Sequence, residues 1–196
     1  MGMQPTSPDQ KRWTAAEVRA LIDATPGWWP RYELIDGELL VTPAPAVRHQ
    51  RIVQALWLLI HPYVRANRLG EAFGVIGDVE LEVEQIVQPD LFVIPLVDGR
   101  RIRRWSDVGA LRLAVEVISP GSERHDRVKK RRYYQRNGVP ECWIVDGGAR
   151  IVERWTPDDR FRPEVLDETL AWHPAGAPAP LAIDLVTLFA ETDDDA

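Results

Sequence analysis

Apolar residues recur along this chain in two rhythms, and the places where one gives way to the other divide it into elements. Thr14-Ala15-Ala16-Glu17 has the form of a capping box, and Val18, Leu21 and Ile22 follow at helical spacing until Pro26-Gly27. Tyr32–Ile35 and Glu38–Val41 flank Asp36-Gly37, a pair suited to the positive φ angles of a two-residue hairpin turn. His49, Ile52, Val53, Leu56, Leu59, Ile60 and Tyr63 then fall at steps of three and four, which predicts a helix over about 48–61. Pro62 lacks an amide hydrogen and is expected to break or kink that helix, and Gly70 is a plausible stop.

From there the period drops to two. Val79, Leu81 and Val83 alternate with Asp78, Glu80 and Glu82, as in a strand with one wet face. Leu91–Ile94 reads as a short buried strand entered from Pro89-Asp90. Leu111, Leu113, Val115 and Val117 alternate with Arg112, Ala114, Glu116 and Ile118, which places Glu116 on the face opposite the four aliphatics. Pro120-Gly121 ends that strand, and Ser122 is expected to cap a helix running to about Asn137, with Gly138 as its stop. Cys142–Val145 and Ile151–Trp155, joined through Asp146-Gly147-Gly148, read as an antiparallel pair of strands. The tail is rich in Pro and Ala and turns briefly apolar at Leu181–Phe189.

At 196 residues the chain suits one domain, expected over residues 13–190 between a disordered start at 1–12 and an acidic disordered tail at 191–196. The single cysteine, Cys142, excludes an internal disulfide and a Cys-rich zinc site. The longest apolar run, Ile52–Ile60, is too short for a bilayer and contains Gln54, and no leader is visible. The expectation is a cytoplasmic protein without a membrane partner. The net charge of -6 argues against an indiscriminate nucleic-acid coat, but its distribution matters more. Residues 121–138 hold seven basic side chains against Glu123 and Asp126, and Arg100, Arg101, Arg103 and Arg104 form a second basic cluster.

Two acids stand in apolar surroundings: Asp90 at the mouth of one strand and Glu116 inside another. A buried carboxylate either takes up a proton or finds a cation, and two on adjacent strands repel unless a cation lies between them. Each could instead pair with a nearby arginine or sit in water at a strand end. On the following helix Asp126, Lys130 and Tyr134 share one stripe, while Lys129, Arg131 and Arg132 point elsewhere. His49 lies on the apolar face of its helix, either as a satisfied core histidine or as part of a site. There is no GxSxG, no Walker loop and no GxGxxG, so esterase, NTPase and dinucleotide readings have no support.

The order helix, three strands, helix, strand, with one acid opening the second strand and another inside the third, resembles the core of the PD-(D/E)XK, restriction-endonuclease-like superfamily. Within it the chain looks like the bacterial Uma-type family of endonucleases. The residues that carry the likeness are Tyr32-Glu33-Leu34-Ile35-Asp36-Gly37-Glu38, Pro43-Ala44-Pro45 with His49, and Pro89-Asp90. They continue with Val115-Glu116-Val117-Ile118-Ser119-Pro120, then Asp126 with Lys130 and Tyr134, and Gly138–Asp146.

The resemblance implies an α/β fold with a mixed sheet: a restriction-endonuclease-like αβββαβ core behind an N-terminal helix and β-hairpin. It also implies hydrolysis of nucleic acid, DNA in the first place, assisted by Mg²⁺ or Mn²⁺ held by Asp90, Glu116 and the Val117 carbonyl. The superfamily places a lysine two positions after the third-strand acid, where this chain has Ile118. The resemblance suggests that Lys130 supplies the ammonium from the next helix, with Lys129 as its rival. Glu38, His49, Asp126 and Tyr134 are expected as accessory groups, and Arg127, Lys129, Arg131 and Arg132 as contacts to the nucleic-acid backbone. A homodimer is expected because cutting two strands often takes two sites. Replacing Asp90 or Glu116 is expected to leave the thermal midpoint unchanged or higher. The alternative is a module that kept the fold, lost the reaction, and binds nucleic acid or a protein partner.

Overall fold

The computed structural model describes residues 11–27, 29–74, 77–119 and 123–193. The expected Ser122 cap, the Pro120-Gly121 strand end, residues 1–10 of the expected disordered start and residues 194–196 of the tail lie outside them. The first helix, α1 (Ala15–Ala24), begins at the capping box: Thr14 accepts from the Glu17 amide and Glu17 reaches back to the Thr14 amide. Strands β1 (Arg31–Ile35) and β2 (Glu38–Thr42) close through Asp36 and Gly37 at φ 54° and 77°, the left-handed pair that a tight hairpin demands. Alternation along β1 turns Leu34 toward α1, with Ala15 and Val18, and turns Arg31, Glu33 and Ile35 to the other face.

Helix α2 (Val47–Ala66) buries Ile52, Val53, Leu56, Ile60 and Val64 along one stripe. It runs through Pro62, contrary to the expected break. Both Pro62 and Leu58, whose carbonyl the missing N–H would have met, lie on the exposed side, where water can take the freed acceptor.

A six-stranded mixed sheet follows in the order β3-β4-β5-β6-β7-β8: β3 (Glu71–Phe73), β4 (Leu91–Ile94), β5 (Leu113–Val117), β6 (Cys142–Asp146), β7 (Ile151–Trp155) and β8 (Glu164–Leu166). Only β5 and β6 are parallel, joined by a crossover that ends in α3 (Arg131–Arg136). The core order is therefore α2-β3-β4-β5-α3-β6, an αβββαβ unit in a mixed sheet. Its first strand is not the segment that the alternation at 79–83 predicted. Those residues form a tight excursion with a single bridge, Val79 to Val87, and a left-handed Glu84; Val83 is exposed. Period-two alternation here marks a loop that leans on Tyr133, whose hydroxyl receives the Leu81 amide.

The sheet separates two apolar layers. Leu91, Val93, Leu113, Val115, Val117, Trp143 and Val145 pack against α2, against the hairpin β9 (Thr169–Trp172) and β10 (Leu181–Asp184), and against α4 (Leu185–Glu191). Phe92, Ile94, Ala114, Cys142 and Ile144 pack on the other face with Ile35, Leu40, Tyr133 and Tyr134. The tail expected to be disordered from residue 191 is held at its start: Glu191 closes α4, Thr192 is buried, and Asp193 pairs with Arg48 and Arg150. At the other end Lys11 pairs with Glu17, and the Arg12 guanidinium donates to the Asp36 carbonyl.

Gly70 makes the passage from α2 to the edge strand. Its φ is 147°, and a Cβ there would sit 1.9 Å from the Ile94 carbonyl oxygen. Gly70→Ala is expected to cost at least about 2 kcal/mol through backbone strain and collision, read as a lower urea midpoint.

Candidate active site

Five elements deliver side chains to one pocket. Extending the β4–β5 register by one residue, from the Leu91–Val115 pair, sets Asp90 opposite Glu116. Directly opposed residues of an antiparallel pair point to the same side, so the two acids share a face. Asp90 Oδ1 accepts from the Arg31 guanidinium of β1 at 2.8 Å, and Oδ2 lies 3.0 Å from His49 Nε2 and 2.9 Å from the Val117 amide. Glu116 Oε2 is 3.0 Å from Lys130 Nζ, and Oε1 accepts from the Tyr134 hydroxyl at 2.5 Å. The same ammonium lies 2.9 Å from Glu33 Oε2 and 3.5 Å from Asp126 Oδ1. Glu33, Asp90, Glu116, Asp126 and Lys130 are all buried.

The helical stripe expected of Asp126, Lys130 and Tyr134 is present, though not in an ordinary helix. Residues His125–Lys130 form a π-helical segment that leads into α3, and the Arg131 amide bonds back to the Asp126 carbonyl five residues earlier. The pocket that results is lined by Arg31, Glu33, His49, Asp90, Glu116, Val117, Asp126 and Lys130, together with Trp29, Thr42, Pro43, Pro45 and Ser119; Tyr134 stands behind Glu116. Its cavity is ≈ 20 Å³, room for an occupant about the size of one water.

Electrostatics separates the two acids. Burial pushes Asp90 upward, but the hydrogen bond and charge of His49, then Arg31 and Lys130, outweigh it and hold the carboxylate below its ordinary range. Glu116 goes the other way: burial, reinforced by Asp90, Asp126 and Glu33, raises it well above the ordinary carboxylate value despite Lys130. Lys130 is raised as well, because Glu116, Glu33, Asp126 and Asp90 together overcome the cost of burying an ammonium. Burial, and next the negative field of Glu116 and Glu33, raises Tyr134. Four acids, Glu33, Asp90, Glu116 and Asp126, share this pocket with the Arg31 guanidinium and the Lys130 ammonium.

Several expectations need correction. Glu38 does not line the pocket; opposite Ile35 it shares the face of Glu33, but it lies at the turn end of the hairpin and pairs there with Lys129. Lys129 is thereby separated from Lys130, its rival. Arg127 is engaged with Glu123, Asp146 and Glu153, and Arg131 is buried over the Trp155 ring at 4.2 Å, so neither offers a free guanidinium to a phosphate. Arg132 is exposed. Asp90 also joins Arg31, His49 and the Val117 amide, so its removal is expected to lower the midpoint.

The sequence by itself gives Glu33 and Arg31 no role in the site. The signal for Glu33 was the same as for Glu116: an acid amid strand-forming apolar residues.

Among the described residues no helix is long and apolar enough to cross a membrane. Over residues 19–183 the chain matches the model of the Uma2 family, described as "Putative restriction endonuclease", and it belongs to that family. Among solved structures it is similar to a crystal structure of a "putative nuclease belonging to DUF820" from Anabaena variabilis. The likeness has a TM-score of 0.70 at 20% identity and covers 90% of this chain and 98% of that one. No curated protein matches the chain.

Asp90 lies below its ordinary value in the folded chain, so on acidification the unfolded chain takes up the proton first. Its stabilisation is present above about pH 4 and is lost as the pH falls further. Asp90→Ala, which strands Arg31, is expected to cost about 3–5 kcal/mol at pH 7. The deficit should shrink at pH 3, as measured by urea midpoints at the two pH values.

Proposed function

We propose that this protein is a metal-dependent endonuclease that hydrolyses phosphodiester bonds in nucleic acid, with DNA as its substrate. The observation that carries the proposal is the convergence of Lys130 on Glu116 and Glu33, beside Asp90, at one acid-rich pocket. An ammonium is thereby supplied at the third-strand acid although Ile118 stands where the superfamily has its lysine.

The donor set suits Mg²⁺ or Mn²⁺: two hard carboxylates on one face, Asp90 and Glu116, with Val117 at the pocket wall to offer its carbonyl. Among the described residues no three His, Cys, Asp or Glu side chains are grouped to hold a metal ion. Magnesium is commonly held by one or two carboxylates with water and substrate phosphate completing the shell, so two acids suffice. Burial, and after it the neighbouring acids, raises Glu116, and a divalent cation would relieve the share that comes from the acids. Such an ion supplies Lewis-acid polarisation of a phosphoryl oxygen and a lower pKa for bound water.

The protein's own groups then have distinct tasks. Lys130 orients the attacking water and offers N–H donors to the oxygen on which charge grows. Glu33 and Asp126 fix that ammonium, so it needs no reorganisation when charge appears. Tyr134 sets the rotation of Glu116, and Arg31 with His49 sets that of Asp90. Arg132 and the exposed Arg100, Arg103 and Arg104 are left to meet the backbone, which makes binding salt-sensitive. A second copy of the chain would provide the second site for cutting both strands.

One observation favours the non-catalytic alternative: both oxygens of Asp90 and of Glu116 already have internal partners. Calorimetry with Mn²⁺ separates the two, since a binding module takes up nucleic acid and no metal. For the enzyme, nicking of supercoiled plasmid is expected to require Mg²⁺ or Mn²⁺ and to stop on chelation. Glu116→Gln and Lys130→Met should each lower the nicking rate at least about 100-fold. Equal rates in wild type and both variants would sink the assignment.

A further inference from the structure

Helix α4 packs against α2, and the chain just beyond it is fixed by burial. Leu188 and Phe189 enter the core, and the buried Thr192 donates through its hydroxyl to the Leu188 carbonyl at 2.8 Å. The next residue, Asp193, is thereby delivered to three arginines from two other segments. Its Oδ1 accepts from Arg48 Nη2 at 2.6 Å, its Oδ2 pairs with Arg150, and its main-chain carbonyl accepts from Arg51 Nη1 at 3.4 Å. Each carboxylate oxygen is held by its own guanidinium.

Local structure works against each of these placements. Arg48 stands in the first turn of α2 and Asp193 just beyond the end of α4, each at the end of a helix where the peptide dipoles oppose its charge. Arg150 has a φ of 56°, in a turn where Gly or Asn is the easier residue. Its side chain is 60% exposed, and an ion pair so open to water adds little to stability. The needs of the fold therefore do not account for the cluster.

The cluster stands beside the pocket of the acids. Arg48 precedes His49, which touches Asp90, and the Arg48 guanidinium also donates to the Gly147 carbonyl at 2.6 Å. Gly147 directly follows β6, whose Val145 is paired in parallel with Val117 of the pocket wall. The arginines thus gather at the end of the sheet where the acids lie, around the strand next to β5. A guanidinium meets carboxylate and phosphate with the same fork of donors. A phosphodiester, like Asp193, spreads one negative charge over two oxygens, so the seat that Asp193 fills also suits a backbone phosphate.

We infer that Arg48 and Arg150 form a seat for one backbone phosphate of the nucleic acid, and that Asp193 fills it in the free protein and is displaced when a strand binds. The role rests on the nuclease assignment above. Held in the same chain, Asp193 competes at an effective concentration set by its tether and not by the solution. It weakens binding without regard to base sequence, because a phosphate contact carries none.

Binding in EDTA tests this without cleavage. Fluorescence anisotropy is read with the full chain and a labelled duplex of about 20 base pairs in ~100 mM NaCl, where phosphate contacts contribute strongly to affinity. Asp193→Ala is expected to lower the Kd at least about fivefold. A second variant also replaces Asp194 and Asp195 by alanine, so that neither of the acids that follow in the sequence takes the vacated place, and it should bind at least as tightly. Glu191→Gln, at an exposed acid closing the same helix, makes the same change in net charge without entering the pairs with Arg48 and Arg150. It should leave the Kd within about twofold of wild type. Adding Arg150→Gln to Asp193→Ala should erase most of the gain, and adding Arg48→Gln as well should erase the rest. Thermal midpoints near that of wild type show that the variants are folded, and the exposed Arg150 gives the arginine arm a variant that does not depend on Arg48. A Kd unchanged in both tail variants would overturn the inference. So would an equal gain from Glu191→Gln, the mark of net charge alone, or a gain that survives the loss of both arginines. Inorganic phosphate displacing the duplex at a concentration equal to that of its phosphodiesters would show a seat for a free anion, and would overturn it too. If plasmid nicking fails while the gain and its dependence on the arginines hold, the nuclease assignment falls and the phosphate seat stands.

Discussion

The structure turns on one buried ammonium. Lys130 is 5% exposed, and removing such a charge from water costs several kcal/mol unless opposite charges surround it. The acids that surround it come from three separate segments: Glu33 from β1, Glu116 from β5 and Asp126 from the π-helical segment. Asp126 lies four residues before Lys130 and is a local partner, but the contacts to Glu33 and Glu116 cannot form until the hairpin, the sheet and the crossover have docked. The same ion cluster therefore fastens the N-terminal hairpin to the sheet and builds the pocket, so stability and chemistry share residues here.

The π-helical segment is what makes the docking fit. It adds width to one turn at the point where Asp126 and Lys130 must both face Glu116, and α3 then resumes with Tyr134 on the same carboxylate. A lysine placed two residues after Glu116 on the strand would have pointed to the same face from the strand itself. Ile118 occupies that position and packs in the apolar layer with Ala114 and Ile144. The ammonium reaches the site from the crossover, and the strand position becomes core.

Asp90 and Glu116 are paired by register but differ in environment. Asp90 is surrounded by donors that hold it below its ordinary value, whereas burial, and then the neighbouring acids, raises Glu116 despite Lys130. Membership of the Uma2 family and the likeness to the Anabaena structure agree with a nuclease fold, while the reaction proposed for this pocket rests on the arrangement of side chains.

Local patterns determined a good deal by themselves. The capping box, the Asp-Gly hairpin, the long amphipathic helix and the alternation that sets Glu116 apart from Val115 and Val117 all depend on neighbours within a few residues, and all are present. Non-local packing decided the rest. The alternation at 79–83 has no neighbouring strand to complete it, and the short Glu71–Phe73 segment becomes a strand because β4 lies beside it. Pro62 is tolerated because it falls on the wet side of α2. Glu33 and Glu38 carry the same charge on adjoining strands of one hairpin, and only docking against Lys130 separates the buried group from the exposed one. Arg127 and Arg131 read as phosphate contacts because charge is visible in a sequence, while the partners that consume it, Glu153, Asp146 and Trp155, lie fifteen or more residues away. A charge is a property of a residue; whether it is free to act is a property of what the fold brings beside it.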